Sequence, residues 1–365
     1  MKKQSIQTKM DAEKIQEEYE KYNKRREYFI ILNFFLILIF IIVAVTFGPF
    51  KITFFEVLEV LFGGGEQLQG LIIWGIRMPR ALSALMAGIA LSLAGVAMQS
   101  ILRNPIGSPF TLGVSQAAVF GVAFAVIILG AGSVQSLSGD AVLINNPYSV
   151  TLFAFLSSLL STGVVLLLVK FKGAKPETMI LTGVILGSLF SAMTTALMYF
   201  GSDVQIASVI FWTFGDLSRS TWRNFFILCV IILPAVLYYM KNAWNYNALN
   251  SGDETAESLG VNTERLRIFG MMIASLTVSV VIAFFGVIAF VGLVVPHIVR
   301  RIIGSDERYL IPATALFGGV FLLAADTIAR TIISPIVLPI GIITSFLGAP
   351  MFLYLLLKKE RRGFW

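Results

Sequence analysis

Apolar runs of membrane-spanning length recur along this chain and constrain its fold more than any other feature. A helix needs roughly 20 apolar residues to cross the hydrocarbon core of a bilayer. Because 57% of the 365 residues are hydrophobic and only 13% are charged, most of the chain must be surrounded by lipid. We expect an all-α membrane protein with about ten transmembrane helices. The predicted spans are 28–49, 78–102, 109–130, 149–170, 177–200, 223–240, 268–286, 288–303, 311–329 and 340–357.

The distribution of Lys and Arg between the predicted loops sets the orientation. With the N-terminus inside, 22 of the 28 cationic residues lie in inner segments, as the positive-inside rule requires. An even number of spans then places both termini in the cytoplasm. The predicted organisation is a charged arm at 1–27, one transmembrane domain at 28–358 and a tail at 359–365. The arm is either a helix on the inner membrane surface or a solvated charged segment.

The residues needed for catalysis are scarce. No HExxH, Walker A or nucleophile-elbow motif occurs in the sequence, and Cys229 and His297 are the only residues of their types. We therefore expect no enzyme activity, metal site or cofactor, and interpret His297 as a packing residue. The one acidic residue inside a predicted span, Asp326, lies four residues before Arg330, which predicts an ion pair within one helix. Any transport would then draw its energy from outside this chain.

Small residues form a stripe along the second span. Ala84, Gly88, Ser92 and Gly95 fall on one helical face, and Gln99 continues it. Small residues let helix backbones approach closely, and a buried glutamine can hydrogen-bond across the contact. The stripe therefore predicts internal packing. A separate apolar stretch within 201–222 is too short to span and predicts an interfacial helix on the outer side.

The inner loop at 241–267 has the signals of two short helices. Ser251 followed by Glu254 predicts a capping box, Gly260 is placed to end the helix, and Asn262 can cap the next one. Two capped helices with a break between them predict a rigid cytoplasmic knob that fits a groove on a partner. An ordinary structured loop is the alternative.

Two arginines stand where cations are disfavoured. Arg77 and Arg80 lie on the predicted outer side, and Pro79 places them in the first turn of a helix, at the positive end of its dipole. One interpretation is snorkelling to lipid phosphates. The other is docking of a protein partner through bidentate arginine–carboxylate pairs, which only the family resemblance given next ranks above snorkelling.

The same residues resemble a known family. RMPRALSALMAGIALSLAGVAMQSILRNPIGSPFTLGV, beginning at Arg77, is similar to the signature of the FecCD/BtuC-type ABC transporter permeases. GDETAESLGV, GVIAFVGLVVPHIVR, ADTIAR and LPIGIITSFLGAPMFL follow in the family's order. The resemblance covers about residues 30–358 and leaves the arm outside it.

The resemblance implies a set of partners and site residues. It implies a second permease subunit, identical or paralogous, two cytoplasmic ABC ATPases, and an outer substrate-binding protein that docks on Arg77, Arg80 and Arg330. It implies that 252–267 is the coupling element of the ATPases and that the spans near 177 and 340 line the path, with 205–215 at its mouth. The implied coupling residues are Ser251, Gly252, Asp253, Glu254, Ala256, Leu259 and Gly260. The corresponding inner gate is Pro176, Glu177 and Thr178, where the chain departs from the small hydroxyl residues of the cobalamin permease.

The resemblance also implies the cargo and the location. Ferric siderophore is the expected cargo because it dominates the family, while haem and cobalamin stay open. The expected location is the bacterial cell membrane, with lipid as the surroundings and no nucleic acid partner. A secondary carrier that works without ATP is the alternative of another class, and a scaffold that transports nothing is a third.

Overall fold

The computed structural model of the chain describes residues 2–131, 147–173 and 175–357, and no β-strand occurs among them. The architecture is all-helical, as predicted. Short π-helical turns at Leu71–Arg77 and Phe124–Ile128 extend α4 backwards and α5 forwards. The α-helices are α1 Lys2–Thr46, α2 Phe54–Leu61, α3 Gln67–Gly70, α4 Met78–Ile101, α5 Val114–Ala123, α6 Pro147–Lys172, α7 Pro176–Tyr199, α8 Asp203–Thr213, α9 Trp222–Lys241, α10 Ala243–Asn250, α11 Asp253–Ser258, α12 Thr263–Phe285, α13 Val291–Ile303, α14 Glu307–Thr331 and α15 Ile340–Leu357.

Most predicted spans correspond to long apolar helices. Seven described helical segments are long and apolar enough to cross a membrane, and Val114–Ile128 and Ile340–Tyr354 are shorter apolar helices. The predicted span at 288–303 differs from the structure. Its helix, α13, has only 13 residues, or about 20 Å at 1.5 Å per residue, so it is too short to cross alone. The backbone before it leaves the helical path at Gly286, whose φ is +79°.

The non-helical stretch before α13 is covered by protein. The α8 helix lies within the stretch 201–222 for which a short helix was predicted, and the turn after it packs on this non-helical stretch. The Asp216 N–H donates to the Phe285 carbonyl at 2.7 Å, and the Gly341 N–H donates to the Phe214 carbonyl at 3.1 Å. A backbone without helical hydrogen bonds is tolerated at membrane depth only when protein or water satisfies it. Here α8 and the start of α15 supply that cover.

The core of the fold is α4, which packs against α9, α12, α13 and α14. The predicted small-residue stripe makes these contacts. A Cβ atom on Gly95 would overlap the Gly292 carbonyl oxygen, and one on Gly88 would overlap the Gly318 carbonyl oxygen. The Gln99 side-chain oxygen accepts a hydrogen bond of 2.9 Å from Arg300 on α13. The interpretation of the stripe as internal packing is confirmed.

The predicted arm and the first span form one continuous 45-residue helix, α1. Where α1 leaves the membrane, Arg26 is buried and donates to the Ile303 carbonyl at 2.9 Å, and the Tyr22 hydroxyl donates to the same carbonyl at 3.0 Å. These bonds satisfy an orphan carbonyl at the end of α13. The root of the arm is therefore packed on the transmembrane domain, which neither interpretation of the arm anticipated. The predicted tail, 359–365, lies outside the described residues.

Candidate functional site

The three outer arginines occupy one buried cluster, which we call the outer arginine cluster: Arg77, Arg80, Asp326 and Arg330. Only 4–6% of each arginine is exposed, and Asp326 is fully buried. Arg80 donates to one Asp326 carboxylate oxygen through Nε at 3.0 Å and Nη2 at 2.8 Å, and its Nε also reaches the other oxygen at 3.2 Å. Arg330 Nε adds a bond of 3.0 Å to the other carboxylate oxygen. The predicted Asp326–Arg330 pair is confirmed, and Arg80 is a second partner that the sequence did not reveal.

Arg77 and Arg330 also cap the outer end of α1. Arg77 donates to the carbonyls of Val45 and Thr46 at 2.6 Å each, and to the carbonyl of Phe50. Arg330 donates to the carbonyls of Ala44 and Phe47 at 3.0 and 2.9 Å. The last carbonyls of a helix lack partners within it and carry the negative end of its dipole. Two cations at this place are therefore stabilising.

This arrangement explains the position of the arginines without a partner protein. Their guanidinium groups point inward, onto α1 and Asp326, rather than toward lipid phosphates. Three positive charges around one carboxylate leave the cluster with net positive charge near the outer surface. The docking role of Arg77, Arg80 and Arg330 stays a prediction, and any docking carboxylate would act on guanidinium groups that already have bonds within the chain.

The predicted coupling element, residues 252–267, is a defined structure, which we call the coupling segment. Gly260 ends α11 with φ +84°, and its N–H donates to the Glu257 carbonyl at 2.9 Å. The Asn262 side chain accepts from the Arg265 N–H at 2.8 Å and caps α12. Both of these predictions are confirmed. Among the remaining predicted coupling residues, Ala256 is fully buried, whereas Leu259 is 68% exposed.

The predicted capping box of Ser251 and Glu254 is wrong. Ser251 ends the preceding helix, α10, and its hydroxyl donates back to the Asn247 carbonyl at 3.3 Å. Gly252 takes the N-cap position of α11 with φ +122°, and no side chain caps this end. Glu254 is exposed in the first turn of α11. The capping box fails because residues 243–250 already form a helix, α10, and Ser251 is its C-cap rather than the N-cap of α11.

Asp253 anchors the coupling segment. Arg267 donates to its two carboxylate oxygens at 2.8 and 2.7 Å, and Arg103 lies 3.8 Å away. Hydrogen bonding to Arg267 lowers the pKa of Asp253 below its ordinary value. The segment thus has a fixed shape, an exposed apolar tip at Leu259 and a charged attachment at its base.

The predicted inner gate lies at the start of α7. Pro176 occupies the first turn, where its missing N–H costs nothing. Glu177 is exposed and Thr178 is half-buried. The three share the first turn of α7, and none of them belongs to the outer arginine cluster or the coupling segment. Their role as a gate stays a prediction.

The outward face of α7 is open along its length. Its exposed side chains recur at helical spacing, and they include apolar and hydroxyl residues: Leu181, Val184, Ile185, Ser188, Leu189, Ser191, Met193 and Thr195. A cavity of about 350 Å³ beside this face is lined by Ser115, Gln116, Val119, Ser191, Thr194, Thr195 and Val287. A second cavity, of about 360 Å³, lies between the end of α8 and the start of α15 and shares Val287 with the first. No charged side chain lines either cavity.

Sequence reasoning missed the partners of several buried charges. Arg80 meets Asp326 across 246 residues of sequence, and Arg267 meets Asp253. The only available signal was that a lone carboxylate inside an apolar span must have cationic partners. That signal identified Arg330, the partner on the same helix, and could not identify Arg80 on another helix.

Comparison with known proteins agrees with this architecture. The model of the FecCD transport family matches residues 36–358. A putative ABC transporter permease protein of Methanocaldococcus jannaschii is 51% identical over 95% of this chain and 99% of its own length. The hemin transport system permease protein HmuU of Yersinia pestis is 34% identical over 80% of this chain and 84% of its own. The Fe(3+)-citrate import system permease protein YfmD of Bacillus subtilis is 32% identical over 92% and 97%.

A solved structure has the same fold. It is described as an inward-facing conformation of a putative metal-chelate type ABC transporter. It matches with a TM-score of 0.76 and 27% identity, over 92% of this chain and 100% of the other. The family match covers nearly all the described long apolar helices and leaves out the part of α1 before residue 36. The chain therefore belongs to the FecCD transport family, as a multi-pass membrane permease of the ABC transporters.

Proposed function

We propose that the chain is the membrane-spanning subunit of an ATP-driven importer that translocates a ferric siderophore through a path between two permease subunits. The observation that carries the proposal is the open face of α7 with the uncharged cavity beside it. Exposed polar side chains such as Ser188 and Ser191 on this face would cost free energy in contact with lipid, whereas the Thr195 hydroxyl is satisfied by the Ser191 carbonyl of its own helix at 3.0 Å. A second subunit against this face would enclose them in a polar path.

The cargo follows from the chemistry of these surfaces and from the relatives. A wall of hydroxyl and apolar side chains without fixed charges suits a bulky chelate that must pass without binding tightly. Relatives named for Fe(3+)-citrate, iron chelatin and hemin transport match most of this chain. Haem and cobalamin are the second candidates, because the hemin permease and a vitamin B12 import permease are each at least 33% identical.

The energy source is proposed to be a pair of cytoplasmic ABC ATPases that bind the coupling segment. Its exposed tip at Leu259 provides an apolar contact, and the Asp253–Arg267 pair keeps the segment rigid. ATP binding would move the two coupling segments together and reopen the path, as a rigid-body transition of the paired permeases. The second permease is either an identical or a paralogous subunit.

The outer face is proposed to receive a substrate-binding protein at the outer arginine cluster. Glutamates on its two lobes would be drawn to the net positive charge of Arg77, Arg80 and Arg330. The proposed location is the bacterial cell (cytoplasmic) membrane, with the N-terminus of the chain inside.

Reconstitution tests this function. The chain is assembled in vesicles with its ATPases and binding protein, and uptake of radioactive iron as a ferric siderophore is measured with and without ATP. We expect iron uptake that requires ATP, the ATPase subunits and the binding protein. Uptake that persists without ATPase subunits would establish a secondary carrier, and haem or cobalamin uptake in place of siderophore uptake would reassign the cargo. No uptake of any of them would indicate a scaffold.

The coupling role is tested at an exposed residue with no structural task. Leu259→Glu places a charge at the tip of the segment, and should abolish ATPase binding while the permease keeps its thermal stability. Leu68→Glu, at an exposed leucine on the outer side, is the matched control. Equal ATPase binding by both variants would contradict the assignment.

The docking role is separated from the capping role by two measurements on the same variants. Arg77→Lys and Arg330→Lys keep the positive charge but lose the forked geometry. Docking through these arginines predicts a weaker affinity for the binding protein, whereas capping of α1 alone predicts a lower melting temperature with unchanged affinity. The second pattern would remove the arginines from the docking site.

A further inference from the structure

A buried carboxylate outside the sites described so far lies at the inner end of α14. Only 1% of Glu307 is exposed. Its Oε1 atom accepts from the Ser100 hydroxyl of α4 at 2.8 Å and from the Asn250 amide of α10 at 3.1 Å. The charge of Arg300 offsets part of the cost of burial. A buried carboxylate is tolerated only when its oxygens are hydrogen-bonded. Because Ser100 and Asn250 supply these bonds, Glu307 connects the ends of α4, α10 and α14.

The neighbouring residue extends the same connection. Asp306 caps α14, and its carboxylate accepts from the Asn247 amide at 2.9 Å. Asn247 makes a second bond to the start of α14, because its side-chain oxygen accepts from the Glu307 N–H at 2.8 Å. Arg26 at the root of the arm lies 3.4 Å from the other Asp306 oxygen. Burial opposes ionisation of Asp306, but hydrogen bonds from Arg308 and Asn247 outweigh it and lower its pKa to about 2.

We call the set of Ser100, Asn247, Asn250, Asp306 and Glu307 the inner junction. Asn247 and Asn250 are three residues apart and share one face of α10. The second of them is the last residue of α10, two residues before the coupling segment begins at Gly252. A displacement of the coupling segment therefore reaches α4 and α14 through these side chains as well as through the covalent chain.

We propose that Asn247, Asn250 and Glu307 are positioning residues that transmit movement of the coupling segment to the transmembrane helices. This inference rests on the proposed function, since it assumes that ATPases move the segment. The three residues act through the helices that they join. Without the junction, α10 loses its side-chain connection to α4 and α14, and movement of the coupling segment reaches α4 through α12 and the Arg267–Ile101 bond alone. The root of the arm, through Arg26, is attached to the same point.

The test compares transport with hydrolysis in the same vesicles. Iron uptake and ATP hydrolysis are measured for the complete complex with Glu307→Ala or Asn250→Ala. We expect hydrolysis to continue while the iron transported per ATP falls at least about fivefold, the lower range of typical coupling free energies. Glu307→Gln, which keeps an oxygen for Ser100 and Asn250, should retain most of the ratio. Asn245→Ala is the matched control, because Asn245 bonds to Asn242 within its own helix region at 2.9 Å.

A second measurement does not depend on transport. Cys229 is the only cysteine, so Cys229→Ala gives a background for two spin labels, at Glu254→Cys on α11 and Ile106→Cys beyond the end of α4. We expect a narrow distance distribution that Glu307→Ala and Asn250→Ala broaden and Asn245→Ala does not. If both the transport ratio and the distribution are unchanged in both variants, the proposal is wrong. A lower melting temperature with an unchanged transport ratio and an unchanged distance distribution would show that these residues only stabilise the fold. That result would also overturn the proposal.

The two hypotheses fail in different ways. If the unmodified complex transports no chelate, the proposed function fails, while the spin-label distances still report whether the junction holds the coupling segment. If the unmodified complex transports and the variants transport equally well per ATP, only the junction hypothesis fails.

Discussion

Arg267 holds Asp253 by two hydrogen bonds, of 2.8 and 2.7 Å, that join the first residue of α11 to the second turn of α12. The same guanidinium donates to the Ile101 carbonyl at the inner end of α4, at 3.2 Å. A helix of six residues is too short to be stable alone. The buried guanidinium of Arg267 therefore stabilises the coupling segment by joining α11 to α12 and to the end of α4.

Replacement of this cation should loosen the segment. In Arg267→Met we expect α11 to open more easily by about 1.5–3 kcal/mol, the contribution of hydrogen bonds to charged groups. Hydrogen exchange of the amides in 253–258 measures the opening. Arg265→Met, at an exposed arginine two residues earlier, should leave this exchange unchanged. Equal exchange in both variants would show that the pair does not hold the segment.

The same pair predicts a dependence on pH. Arg267 lowers the pKa of Asp253 in the folded state below the ordinary value of 3.8. Ionised Asp253 therefore stabilises the segment above about pH 4, and this contribution is lost as the pH falls through the lowered pKa. The hydrogen-exchange rate of the amides in 253–258, divided by the intrinsic rate at each pH, should be constant from about pH 8 to 5 and rise below about pH 4. Asp253→Asn should remove that rise, and a rise that persists would assign it to another group.

The contact between α4 and α13 leaves no room for a side chain. Gly95→Ala should destabilise the protein by about 1–3 kcal/mol, as overpacked cores do, because the added Cβ meets the Gly292 backbone oxygen. Gly163→Ala on α6 is the control, since a Cβ there meets nothing within 4 Å. The melting temperature in detergent measures both. A similar melting temperature for the two variants would show that α4 and α13 can separate.

The outer arginine cluster depends on its carboxylate. Asp326→Asn leaves three buried guanidinium groups without an anion and should cost about 3–5 kcal/mol, as breaking a buried ion pair does. Asp203→Asn, at an exposed aspartate on the same side, should cost far less. Thermal unfolding in detergent compares them. A small loss for Asp326→Asn would mean that the α1 carbonyls alone satisfy the arginines.

Local chemistry determined what could be predicted from the sequence. Span-length apolar runs located the long helices, and Gly260 and Asn262 marked the helix ends of the coupling segment because each acts on its own neighbours. The Asp326–Arg330 pair was predictable for the same reason, since four residues separate its members. The stripe ending at Gln99 identified the face of α4 that packs.

Features that join distant parts of the chain were not predictable in this way. Arg80 meets Asp326, and Glu307 meets Ser100, only because α4 and α14 pack side by side. The predicted span 288–303 is longer than its helix because hydropathy does not distinguish helical residues from the non-helical backbone that begins at Gly286. The capping box at Ser251 was wrong because it ignored α10. That helix is rich in asparagine, and its apolar residues show no periodicity strong enough to predict a helix.

The bonds at the two ends of α1 determine how the protein meets its bilayer. Arg26 attaches the helix at the inner side, and Arg330 attaches it at Ala44 on the outer side. Eighteen residues separate these points, or about 27 Å of helix, close to the hydrocarbon thickness of a thin membrane. A helix fastened at both ends cannot tilt by itself to match a thicker or thinner bilayer. The lipids beside α1 must stretch or compress instead, so membrane thickness acts on the whole transporter rather than on this one helix.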